Sequence, residues 1–290
     1  MGYQQVVTAA REERERNYVR VERDGAHAVV TLDDPEKLNP LSAPLTVQLH
    51  DELAALAREP RVRAIVLTGV DPAFSAGGDL RLMAEAGQEM LGSAAGATDI
   101  WRWIRGQFGA IARLITRTDK AFIAAVNGPA AGVGLAFALA CDVMLLSERA
   151  RIVPAFGRIG LLPEVGNSWL LTRRLGYQRT FGMFASPHQL SGAEAFELGL
   201  GNELVAHEAL RDAALKWCER IERLPEHVLE MSKPLLRQCA DMSWEQAITM
   251  EELAEPMCFT THAHQEAVAG LLARAPRQPQ ADGFSGPRNR

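Results

Sequence analysis

Residues 122–148 read F-I-A-A-V-N-G-P-A-A-G-V-G-L-A-F-A-L-A-C-D-V-M-L-L-S-E, and their order decides the architecture. The apolar run 122–126 has the pattern of a strand buried on both faces. Gly128, Gly132 and Gly134 then fall within seven residues and mark a turn. The small residues that follow suit a closely packed helix, and 143–147 give a second strand. A helix entered through such a turn has unpaired first-turn N–H groups and the positive end of its dipole at the entrance, so the stretch predicts an anion or oxyanion site. The run is long enough to suggest a membrane span. Asn127, Gly128, Pro129 and Asp142 inside it favour strand, helix and strand instead.

Composition narrows the chemistry. A chain of 290 residues with 47% hydrophobic and 23% charged residues folds without covalent staples. A net charge of −5 and a pI near 5.9 argue against a nucleic-acid or anionic-membrane partner and favour small-molecule chemistry. Cys141, Cys218, Cys239 and Cys258 are far apart, which suggests neither a disulfide framework nor a zinc site. Residues 11–16, R-E-E-R-E-R, stand where a secretory signal needs an apolar run, so a cytoplasmic location is expected.

Working outward, residues 1–16 read as a charged, mobile N-terminal tail and 275–290 as a Pro- and Gly-rich tail. Residues 18–22 and 27–32 flank Arg23-Asp24-Gly25 as a hairpin. Ser42 caps a helix with Leu45, Leu49, Leu53 and Leu56 on one face, and 63–69 form a buried strand. Segment 82–98 has little apolar periodicity and is either a cover for substrate or an irregular connection. A helix follows with Ile100, Ile104, Phe108, Ile111 and Ile115 on one face. Beyond 148 the pattern is mostly helical. Ser191 caps one helix that Gly199 ends, Pro225 opens another, and 253–272 reads as a further single helix.

Two glycine-bearing turns, 71–79 and 127–134, each follow an apolar strand and precede a helix. Two backbone N–H groups from separate turns can converge on one oxygen, as an oxyanion hole requires, and a thioester carbonyl suits that geometry. Glycines that merely permit sharp turns and close packing are the alternative reading. Phe137 breaks the dinucleotide-binding spacing, and neither turn ends as a phosphate loop does.

These segments, with L-D-D-P-E-K-L-N-P-L-S at 32–42, F-S-A-G-G-D-L at 74–80 and A-F-G-R-I-G-L-L-P-E-V-G at 155–166, closely resemble the crotonase superfamily, the enoyl-CoA hydratase and isomerase family. The resemblance covers roughly residues 18–274. It implies an α/β fold, a crotonase-like spiral of β-β-α repeats over 17–205 that holds the acyl-CoA site. A C-terminal helical region over 206–274 would assemble trimers or pairs of trimers. It implies an acyl-CoA thioester as substrate, no cofactor beyond that coenzyme A, and an oxyanion hole made by the N–H groups of Ala76 and Val133. Substrate contacts are implied for Lys37 and Leu38, for Gly77, Gly78, Asp79 and Leu80, and for Gly132, Phe156 and Arg274, with Arg277 nearby.

Family hydratases carry two glutamates that activate water. Here Ala136 and Phe156 occupy those positions. Glu164 stands instead where members that shift double bonds resemble G-L-V-P-D-x-G, and one carboxylate suffices to move a proton from one end of a dienolate to the other. A helix-start carboxylate favoured by the dipole is the other reading of Glu164. Burial would raise its pKa and the helix N-terminus would lower it. Asn167 replaces a second glycine of relatives. The expected function is therefore enoyl-CoA isomerisation. The alternatives are a hydratase or hydrolase using Glu164 or an acid near Glu85, and a silent acyl-CoA-binding subunit. His262 and His264, two apart on a helix, point to different faces and do not suggest a metal site. His27 reads as a packing or surface residue, and Trp101 and Trp103 as core with an acyl pocket as the alternative.

Overall fold

The computed structural model describes residues 2–13, 16–84, 94–186 and 188–274. The hairpin expected from the sequence is present, with β1 (Val19–Asp24) antiparallel to β2 (His27–Leu32) around Gly25 at φ 58°. From β2 the main sheet continues in parallel through β4 (Ala64–Gly69), β6 (Ala121–Val126), β8 (Val143–Ser147) and β11 (Glu203–Val205). Short strands build the two smaller sheets. β3 (Pro40–Leu41) pairs with β5 (Gly77–Gly78), and β9 (Arg151–Val153) lies between β7 (Pro129–Ala131) and β10 (Leu190–Ser191). An isolated bridge from Ser75 to Ala130 joins the two glycine turns.

Alternation along each strand sorts side chains to two cores. Val30, Leu32, Ile65, Leu67, Phe122, Ala124, Val126, Met144 and Leu146 share one core with α2 (Ala43–Arg58) and the all-buried α5 (Gly132–Ala140). Val29, Ala64, Val66, Ala121, Ile123, Ala125, Val143 and Leu145 form the other with Leu210, Ala214, Cys218 and Ile221 of α9 (Leu210–Glu222). Burial pushes the Cys218 thiol up to about 12, with Glu222 adding to it, as expected of an inert, reduced core cysteine.

Three expectations are corrected here. Residues 3–12 are not a mobile tail: they form α1 (Tyr3–Glu12), held by burial of Val7 and Ala10 against Val47 of α2. The helix expected around Ile100–Ile115 is α3 (Ala94–Trp103) and α4 (Gly109–Arg117) joined by a π-helical turn, Ile104–Phe108, an insertion that leaves apolar spacing almost unchanged. The single helix expected over 253–272 is two, α11 (Trp244–Phe259) and α12 (His262–Arg274). They break at Thr260-Thr261, where the Thr261 hydroxyl accepts the His264 N–H at 3.2 Å.

The chain divides into two compact units, Met1–Lys233 and Pro234–Arg290. α9, placed by the sequence reading in a C-terminal region, packs as part of the first unit. Among the described residues no helix is long and apolar enough to cross a membrane.

Candidate active site

The first glycine turn is held by Asn39. Its Nδ2 donates to the carbonyls of Val70 (2.8 Å) and Ala73 (2.7 Å), its Oδ1 accepts the Asp34 N–H (2.8 Å), and its own carbonyl accepts Ser75 Oγ (2.8 Å). This buried knot forces two consecutive non-glycine residues into the left-handed region, Leu38 at φ 67° and Asn39 at φ 54°, a conformation that costs free energy and clusters at functional sites. The Leu38 carbonyl there accepts the Ala76 N–H at 2.8 Å. The Ala76 amide, expected as an oxyanion donor, is therefore occupied in this structure.

The second turn meets the first through glycine. Gly77 has φ 89°, and a Cβ on it would lie 2.8 Å from the Ala131 carbonyl oxygen. Gly132, at φ 50°, opens α5 beside the Gly77 backbone and the Phe156 ring. Ala131, the N-cap, has no side-chain oxygen to offer. The first-turn N–H groups of Gly132 and Val133 thus have no intrahelical partner and no capping side chain, and sit at the positive end of a buried dipole.

Glu164 lies just before α6 (Asn167–Leu175), whose N-cap is Gly166 at φ 91°. The buried Asn167 connects it to the entrance of α5. Asn167 N–H donates to the Glu164 carbonyl (3.0 Å), and its Nδ2 donates both to that carbonyl (3.2 Å) and to the Gly132 carbonyl (2.9 Å). This link lay outside the sequence reading, in which Asn167 was only a departure from glycine. Glu164 lines an apolar cavity of about 810 Å³. Burial pushes its pKa above the ordinary glutamate value.

Of the other residues the sequence singled out, Gly78, Asp79, Leu80 and Trp103 line the same cavity. Asp79 Oδ1 accepts the Arg81 N–H (2.8 Å) and so is committed as a helix cap. Lys37 reaches toward Asp34, Nζ to Oδ2 3.9 Å, and Leu38 is partly exposed. Ala136 and Phe156, at the hydratase carboxylate positions, are both buried. Arg274 ends α12 in the second unit and is exposed. Glu85 and Arg277 lie outside the described residues. His27 pairs with Glu222 (2.9 Å) as a packing residue, His262 with Glu266 (3.4 Å), and Trp101 is exposed under Arg105. Leu82 and Met83, from the segment read as a possible cover, also line it, and cavity residues the sequence did not suggest include Tyr3, Val6, Leu41, Ile159, Leu161 and Leu162. The apolar pair Leu161-Leu162 next to Pro163-Glu164 was the one readable signal among them.

A glycine-opened helix N-terminus tied through Asn167 to the main chain at Glu164, with Glu164 lining an apolar cavity, has the parts that an acyl-transfer or enolate-forming site uses. Residues 22–279 match the model of the enoyl-CoA hydratase/isomerase family, and the chain belongs to that family. It is 29% identical to a 1,2-epoxyphenylacetyl-CoA isomerase of Escherichia coli (strain K12), over 88% of this chain and 94% of that protein. It is 30% identical to a probable enoyl-CoA hydratase of Rhizobium meliloti (strain 1021), over 88% and 94%. The crystal structure of an enoyl-CoA hydratase from Mycobacterium smegmatis superposes with a TM-score of 0.79 at 25% identity, covering 89% of this chain and 97% of that one. The α/β fold is the crotonase fold, and the relatives carry both isomerase and hydratase names.

Proposed function

We propose that the protein isomerises enoyl-CoA thioesters, with Glu164 as the single proton shuttle. The observation that carries this reading is the Glu164–Asn167–Gly132 link, which ties the main chain of the desolvated glutamate to the entrance of α5, while Ala136 and Phe156 offer no carboxylate. The ionised Glu164 takes a proton from the carbon α or γ to the thioester, and the electron pair delocalises onto the thioester oxygen. The Val133 N–H and the α5 dipole stabilise that oxygen's charge. For Ala76 to join, its N–H must exchange the Leu38 carbonyl for the substrate oxygen. The protonated Glu164 then returns the proton at the other end of the dienolate, so the double bond moves and no atom is gained or lost.

On this reading Lys37, Leu38, Gly77–Leu80, Gly132, Phe156 and Arg274 contact the acyl-CoA, and the C-terminal helices assemble trimers or pairs of trimers in the cytoplasm. Hydration is the second reading, favoured by the hydratase name of the Rhizobium relative; Glu164 would then activate a water. Mass spectrometry and NMR of products from 2-enoyl-, 3-enoyl- and dienoyl-CoA in deuterated water separate the two. Deuterium exchange with a moved double bond is expected. A product heavier by one water overturns the isomerase assignment.

A further inference from the structure

One wall of the cavity comes from a helix that the chemistry does not use. α1 brings Tyr3 and Val6 to the cavity, and the rest of the first unit is shaped to hold it there. Val7 and Ala10 are buried against Val47 with Trp103 alongside, and Arg11 forks onto Asp51 of α2 through Nε (3.0 Å) and Nη2 (2.9 Å). The Trp103 ring stands edge-on to both Tyr3 (6.5 Å) and Phe108 (5.9 Å). The π-helical turn at Ile104–Phe108 is fitted to Tyr3. Gly106 leaves the space its hydroxyl occupies, since any Cβ there would collide with that oxygen, and the buried Gln107 donates Nε2 to it at 3.2 Å. Insertions of this kind recur at functional sites.

We propose that α1 is the specificity wall of the acyl pocket: an apolar acyl chain runs from the thioester beside Gly78 and Glu164 toward Val6 and Tyr3, which set the length accepted. The inference rests on the acyl-CoA reading above. Saturated straight-chain acyl-CoA thioesters cannot isomerise, so their binding reports the wall apart from the chemistry.

Affinity of the full chain for the series from butanoyl-CoA to hexadecanoyl-CoA, measured by calorimetry, is expected to rise by up to about fourfold per methylene, the worth of burying one CH₂, and then to break where the chain meets α1. Val6→Trp should move the break to shorter chains and Val6→Ala to longer ones. Tyr3→Phe, which keeps the ring, should leave it in place. The wall is refuted if the break stays at one length in both Val6 variants while their melting temperatures show them folded. It is refuted together with the acyl-CoA reading if the wild type binds none of the series. Retained turnover of enoyl-CoA with an unmoved break refutes the wall alone.

Discussion

The cavity is enclosed by two kinds of wall. Around Glu164 it is lined by glycine-bearing main chain: Gly78, which follows the positive-φ Gly77 in the turn held by the left-handed Leu38 and Asn39, and Gly160, at φ 73°, with Pro163. Around α1 it is built from side chains: Tyr3, Val6, Trp103 and Phe108. A backbone wall positions charges to a fraction of an ångström and admits almost no substitution, because each residue sits in a conformation its neighbours dictate. A wall of side chains can be resized a methyl group at a time. On the proposed reading the reaction is therefore fixed at one side of the pocket, and the choice of acyl group can vary at the other without disturbing it.

The sharpest way to break this division is at Glu164. Glu164→Gln should lower kcat by about 10²–10⁴, the usual worth of a positioned acid–base group, with acyl-CoA affinity retained. An enzyme that keeps full turnover would show that the backbone side does not carry the chemistry. The pH dependence sharpens the point. If activity requires the carboxylate, as proposed, burial, which raises its pKa, should place the acid limb of kcat/KM above the ordinary glutamate value of about 4.3. The linkage has the opposite sign for stability. A raised carboxylate costs nothing below its unfolded pKa and its full penalty above its folded one. At neutral pH, Glu164→Gln should therefore melt no lower than the wild type, checked by calorimetry.

Smaller losses are expected where the backbone wall is disturbed rather than disarmed. Asn167→Asp keeps the shape of the residue but removes the Nδ2 donor to Gly132 and Glu164. Leaving a buried carbonyl unpaired costs about 1–3 kcal/mol, and steady-state kinetics should show kcat falling with KM little changed. Asn167 is a positioning residue, so the acid limb of the pH profile should move as well. Gly77→Ala places a Cβ against the Ala131 carbonyl at a left-handed φ and should cost a similar ~1–3 kcal/mol in denaturant unfolding. Val6→Ala, on the opposite kind of wall, should change acyl preference with a smaller loss. Equal stability losses at the two positions would erase the distinction.

How far the sequence disclosed these walls follows from what each is made of. The apolar runs 63–69 and 122–126 made strands buried on both faces readable, and S-G-A-E at 191–194 is seen as a full capping box. Glu164 and Val133 were singled out through motif resemblance, the glycine turns alone indicating only backbone geometry. The Ala76–Leu38 bond could not be read, since nothing in P-E-K-L-N shows that a leucine takes the left-handed conformation glycine prefers. α1 was hidden for another reason. Its few apolar residues precede the charged run R-E-E-R-E-R, and the helix is held by burial against residues some forty to a hundred positions away rather than by its own propensity. The π-turn escaped because one inserted residue hardly alters the spacing of Ile104, Phe108 and Ile111.

The weakest expected effect tests what holds the side-chain wall in place. Arg11 and Asp51 are both about half exposed, and an exposed pair typically contributes about 0.2–1 kcal/mol, a bidentate guanidinium lying toward the upper end. Val7 and Ala10 are almost fully buried, so Val7→Ala should destabilise α1 more than Arg11→Ala does. If burial is the main anchor, Arg11→Ala leaves the acyl-length break where it is and raising the salt concentration changes nothing. A break that blurs in Arg11→Ala, or in the wild type at high salt, would mean that charge holds the wall. Its length selection would then weaken with ionic strength while the backbone side of the cavity, whose contacts are buried hydrogen bonds, stayed unchanged.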